Sequence, residues 1–187
     1  MGIAIFLGLV VLAALVVVLL GIVIYNQLVR LRQMVAEGWS GIDVQLKKRA
    51  NLVPNLVETV KGYMTHERDL LEKVTELRSQ SLNTNDPQAK GPVEGALGRA
   101  LANIMAVAEQ YPDLKANQNF LDLQNKLSQI ENDIEMARRY YNGTVRNLNI
   151  KVDTFPSNIV AQKYGFEQAP FFKIEDSRDR QTPSVDF

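Results

Sequence analysis

The chain contains no cysteine and a single histidine, His66, among its 187 residues. Without thiols it can hold neither a disulfide nor a zinc site of the usual nitrogen–sulfur type. One histidine cannot furnish the two Glu-x-x-His pairs that a di-iron centre in a helical bundle requires. No G-x-S-x-G turn offers a serine nucleophile beside it. Walker A and G-x-G-x-x-G loops, which cradle phosphates with backbone amides, are also missing. His66 lies between Thr65 and Glu67 on a predicted helix and reads as a surface side chain. The expectation is a protein that is not an enzyme, with no catalytic, cofactor-binding or metal-binding residues. Charge of one sign is lacking too: 21 Lys and Arg balance 21 Asp and Glu, and the two signs are interspersed. Nucleic acid is therefore not an expected partner, because no basic stripe exists to neutralise phosphates.

What the chain does have is a long apolar run. From Ile3 to Tyr25 there is no charged residue. About 23 residues at about 1.5 Å each give a helix of roughly 35 Å, enough to cross a hydrocarbon core of about 30 Å with some tilt. The run lacks the basic start and small-residue cleavage site of a secretory signal. Gly2 does not begin a myristoylation motif, because Phe6 stands where Ser or Thr is needed. Arg30 and Arg32 are the first charged side chains, just past the apolar end, and no Lys or Arg precedes it. They are read as membrane-proximal basic residues. Their bias predicts a single-pass anchor with the N-terminus outside and the bulk of the chain cytoplasmic. The expected partition is an anchor over 1–27, a helical bundle over 28–165 and a partly ordered tail over 166–187.

Beyond the anchor, apolar residues recur at three/four spacing: Leu28, Leu31, Val35, Trp39, Ile42 and Leu46, then Val53, Leu56, Val60, Tyr63, Leu70, Val74 and Leu77. This is one buried helical seam, continuing the membrane helix. Pro54 predicts a kink or break. Arg49 and Glu67 fall on seam positions and are expected at its margins. Ser79 to Pro92 reads as a loop, rich in Asn, Asp, Pro and Gly. A second helix carries Val93, Leu97, Leu101, Ile104 and Val107, and ends near Tyr111-Pro112. Asn117 or Asn119 is a candidate cap for a third helix, whose seam runs from Phe120 through Leu127, Ile134, Tyr141 and Leu148 to Val152. A heptad sustained this long argues for long helices packed nearly parallel. Phe155-Pro156 breaks it, and a last short helix ends at Gly165 in a left-handed turn. Phe171, Phe172 and Ile174 are expected to fold back onto the bundle, or to dock on a neighbouring subunit or lipid.

Five ordered stretches resemble the LemA family of bacterial membrane proteins: Trp39 to Lys48 (WSGIDVQLKK), Leu52 to Tyr63 (LVPNLVETVKGY), Tyr111 to Gln124 (YPDLKANQNFLDLQ), Ala137 to Asn149 (ARRYYNGTVRNLN) and Phe155 to Phe166 (FPSNIVAQKYGF). The resemblance implies an all-α fold: one transmembrane helix continuing into a long antiparallel bundle of four helices, in the bacterial inner membrane. It carries over no activity, cofactor or catalytic residue.

Two outputs then compete. One is a self-assembling homo-oligomeric scaffold that organises or remodels the bilayer. The other is a tethered adaptor for another membrane protein, such as an envelope protease or signalling protein. Candidate partner-binding residues are Asp113, Lys115 and Asn117 at the bend, with Phe171 and Phe172 in the tail.

Overall fold

The structure, a computed structural model, describes residues 1–64 and 66–174. Every regular element among them is a helix: α1 (Gly2–Lys61), α2 (Arg68–Asn83), α3 (Pro87–Ala108), α4 (Pro112–Lys115), α5 (Gln118–Asp153) and α6 (Ser157–Tyr164). The all-α class with one long apolar N-terminal helix agrees with the sequence expectation.

Helices α1 and α5 form a spine. Leu28 shares a core with Leu148, Trp39 stacks near Tyr141, Arg49 bonds Glu131, and Tyr63 bonds Asn117. Numbers rise on one helix as they fall on the other, so the pair is antiparallel in a constant register. Helices α2 and α3 are shorter and reach only the distal half of this spine. There Val53, Leu56, Val60, Val74, Leu101, Ile104, Phe120 and Leu127 close a four-helix core.

Nearer the apolar end the spine is a two-helix pair, and the chain after α6 takes the place that α2 and α3 leave open. Phe172 is fully buried against Ile42, Leu46, Ile134, Tyr141 and Val145. The strap is held by its backbone. Asn149 Nδ2 donates to the Ala169 carbonyl while its Oδ1 accepts from the Ala169 amide, at 3.0 and 2.8 Å. Asn142 does the same to Phe172, at 3.0 and 2.9 Å. One heptad on a helix advances about 10.5 Å, and three residues of extended chain span about 10 Å, so the two asparagines match the strap's own repeat. Gly91 of α3 lets the strap pass: a Cβ there would lie 2.2 Å from the Lys173 carbonyl oxygen. The rest of the expected tail, residues 175–187, lies outside the described residues.

Several sequence expectations need correction. The seam from Leu28 to Leu77 belongs to two helices, because α1 ends at Lys61 and α2 starts at Arg68. Met64, buried in the turn itself, keeps the apolar rhythm going. Gly62 has φ of −72°, so no left-handed signature marks the stop. His66 lies in this turn, exposed, rather than on a helix. Pro54 does not break α1. It removes the donor that would serve the Ala50 carbonyl, and Arg78 Nε of α2 supplies one instead, at 2.8 Å. The loop expected over Ser79 to Pro92 shrinks to the few residues between Asn83 and Pro87. Asp86 caps α3 by accepting from the Ala89 amide at 2.8 Å, and Pro87 opens the helix, where its fixed φ suits the first turn. Asn117 caps α5, and Gly165, at φ +67°, ends α6 as expected.

Candidate functional site at the centre and ends of the rod

Arg49 is not marginal. Only 1% of its surface is exposed. It bonds Glu131 Oε1 and Oε2 of α5 through Nη1, at 2.8 and 3.1 Å, and Glu94 Oε2 and backbone carbonyl of α3 through Nη2, at 2.5 and 3.0 Å. Ser81 Oγ of α2 donates to the other Glu94 oxygen at 2.5 Å. One guanidinium and one carboxylate thus join all four long helices. A second buried cation, Lys90, bonds Asp43 at 2.8 Å, and Lys47 bonds the other Asp43 oxygen at 2.6 Å. Burial works to raise the Asp43 carboxyl, but the hydrogen bonds and charges of Lys47 and Lys90 outweigh it and hold the group below its ordinary value. A buried ion pair contributes little net stability but penalises any misaligned packing that unpairs it. The cluster's chemistry is that of a register lock.

At the distal end the turn between α1 and α2 meets the bend before α5. Asn117 Oδ1 accepts from the Asn119 and Phe120 amides, and its Nδ2 donates to Tyr63 Oη at 3.1 Å. Tyr111 Oη donates to the Glu67 carboxylate at 2.8 Å. That bond, then burial and the carboxylate's charge, push the Tyr111 phenol above its ordinary value. Lys115 pairs with Glu109, and Asp113 faces solvent. Asp113, Lys115 and Asn117 are therefore together, at the tip. Phe171 and Phe172 are not with them. Phe172 sits beside Trp39, level with the middle of the spine, some 20 residues or about 30 Å of helix from the tip. Phe172 is consumed by the protein's own core, which leaves the exposed Phe171 as the outward aromatic of the strap.

At the other end, Arg30 is exposed and the Arg32 guanidinium lies 5.1 Å from the Phe166 ring centroid. Tyr25 packs edge-on to Tyr164 and Phe166, with centroids 5.0 and 5.7 Å apart. The anchor and α6 thus meet where the apolar run ends.

Sequence reasoning missed Arg49, Glu94 and Lys90 as buried ions, and the two strap-holding asparagines. Asn142 and Asn149 stood one heptad apart inside a quoted motif. That spacing was the available signal.

Residues 38–187 match the model of the LemA family. The chain is 30% identical to Protein LemA of Metamycoplasma hominis over 155 residues, covering 81% of this chain and 69% of that protein. It is 23% identical to Magnetosome protein MamQ 2 of Paramagnetospirillum magneticum and 21% identical to Magnetosome protein MamQ of Magnetospirillum gryphiswaldense, each covering 86% of this chain and 68% of the relative. With the motifs in order along one helical fold and the family model matched from Gly38 onward, this chain belongs to the LemA family.

Proposed function

We propose that the protein is a non-enzymatic scaffold of the bacterial inner membrane that assembles laterally with copies of itself. The observation that carries this reading is the outer face of α5. Met136, Tyr140 and Ile150 are exposed at three/four-compatible spacing on a side of α5 turned away from the buried Ile134, Val145 and Leu148, with the edge of the Tyr140 ring bordering Gly38 of α1. Gly143 lies on the same outer stripe with open space around it. Apart from the first turns of α3, at Lys90 and Gly91, helices α2 and α3 lie distal to this stretch. A mostly apolar stripe, interrupted by Asn147, with a close-approach glycine suits another helix of the same kind. The anchor, with its N-terminus outside and its bundle cytoplasmic, confines every copy to one plane and one orientation. Local concentration then makes weak lateral contacts sufficient.

Because the chain has no cysteine, Gly143→Cys in the full-length protein provides a direct test. Oxidation in membranes should trap a disulfide-linked dimer, whereas Asn125→Cys on the distal half should stay monomeric. A Gly143→Cys protein that remains monomeric, together with monomers alone by mass photometry in mild detergent, overturns the scaffold reading.

The distal tip favours a second reading, an adaptor that presents Asp113 and Lys115 far from the bilayer. A stoichiometric partner recovered from native membranes, and lost on Asp113→Ala with Lys115→Ala while the fold survives, would support it.

A further inference from the structure

Helix α6 and the turn before it carry apolar side chains that the bundle does not use. Phe155 is 75% exposed, Ile159 59%, and Tyr164 is exposed as well, although Ala161 and Ser157 on the opposite side are buried. Their height along the rod is fixed by the spine. Leu148 is level with Leu28, and five more residues of α5 descend about 8 Å, to the level of Val23. Phe155 and Pro156 therefore sit beside the last turns of the apolar run. The same geometry appears as a groove of about 590 Å³, with Val17, Leu20 and Gly21 on one wall and Pro156, Ile159 and Val160 on the other. Lys163 stands at its rim, with Nζ 5.7 Å from the Tyr164 ring centroid.

We propose that α6 is a second membrane-contact element. It lies in the interfacial layer of the leaflet on the bundle's side, with Phe155 and Ile159 among lipid chains. The groove against the anchor is filled by phospholipid acyl chains, and Lys163 addresses the lipid phosphate. The inference rests on the anchor being membrane-spanning. Lipid is the fitting occupant because one wall of the groove is the anchor itself, so the space opens at the depth where acyl chains begin. The polar composition agrees: Tyr25 and Tyr164 place amphipathic rings at headgroup level, and a lysine with an apolar stem can reach upward to phosphate. Two contacts with the bilayer, one spanning and one interfacial, set the tilt of the rod, which a single helix leaves free.

The test uses full-length single-cysteine variants Ile159→Cys, Val10→Cys and Asn125→Cys, each carrying an environment-sensitive fluorophore, in phosphatidylcholine–phosphatidylglycerol vesicles. The Ile159→Cys probe should be blue-shifted and quenched by lipids with a nitroxide near the headgroup, more than by aqueous iodide. The Asn125→Cys probe should show the reverse. An Ile159→Cys probe that behaves like Asn125→Cys overturns the proposal. So does one shielded from both quenchers, because a second copy would then cover the face. The Val10→Cys probe separates the two readings. If deep nitroxides quench it while Ile159→Cys stays aqueous, the anchor stands and only the α6 inference falls. If deep nitroxides leave it untouched, both fall.

Discussion

Arg49 shows how one side chain can decide the order of a bundle. Its two nitrogens reach α3 and α5 at once, and Ser81 brings α2 to the same carboxylate. Removing the cation by Arg49→Met leaves Glu94 buried and uncompensated, and should cost about 3–5 kcal/mol, read as a lower urea midpoint. Adding Glu94→Met removes the stranded charge and should recover much of that loss. Asp43 gives a pH signature. Its carboxyl is lowered on folding, so its contribution is fully present above the unfolded value of about 3.9 and disappears as pH falls through the native one. The stability of the wild type should therefore fall more steeply than that of Asp43→Asn once pH drops below about 4, the ordinary carboxylate value, in denaturation series at each pH. Gly98 belongs to the same region: a Cβ there would lie 3.4 Å from Arg49 Nη1, tight but tolerable for the end of a long side chain.

Between elements, Pro54 and Arg78 act as a unit. The proline withholds a donor from the Ala50 carbonyl, and a side chain of the neighbouring helix replaces it. Arg78→Met should destabilise by about 1–3 kcal/mol, the cost of an unmade bond at a buried acceptor. In a Pro54→Ala background the helix provides its own amide, so the same substitution should cost distinctly less. A double-mutant cycle in urea measures the coupling. This pairing was invisible in the seam pattern, which registers where apolar side chains recur and is blind to a carbonyl. Of the kink or break expected at Pro54, the break does not occur, because that donor is replaced. Caps were easier to foresee. Asn117 and Gly165 act on amides and carbonyls within a few residues of themselves, and local chemistry suffices to place them.

As a whole the molecule is a rod whose two halves are closed differently. The distal half has four helices around Val60, Leu101 and Ile104. The half nearer the anchor has α1, α5 and the short α6 with a strap, and Phe172 is the plug. From Tyr25 to Lys61 the spine rises about 54 Å at about 1.5 Å per residue, so the tip stands far from the apolar run. Truncation after Gly165 should remove the plug and the asparagine bonds together. Amide exchange should then accelerate across Val35 to Leu46 and Ile134 to Val145, while Val53 to Val60 and the α3 core keep their protection. Uniform acceleration along the rod would mean that the two halves fold as one unit. The strap also explains why the candidate residues of the bend and tail do not make one surface: they belong to different halves.

The amino-acid sequence by itself determined the helical class, the membrane-length apolar run, the bounds of α5 and the turn at Gly165. These depend on period, composition and capping within a few residues, which a linear chain displays directly. Tertiary structure alone decided that the stripe from Leu28 folds into two helices, that Arg49 is buried, that the strap seats Phe172, and that α6 packs beside the end of the apolar run. Each of those outcomes joins residues tens of positions apart. The free energy that selects them, burial of apolar area and pairing of desolvated charge, exists only once the helices have met.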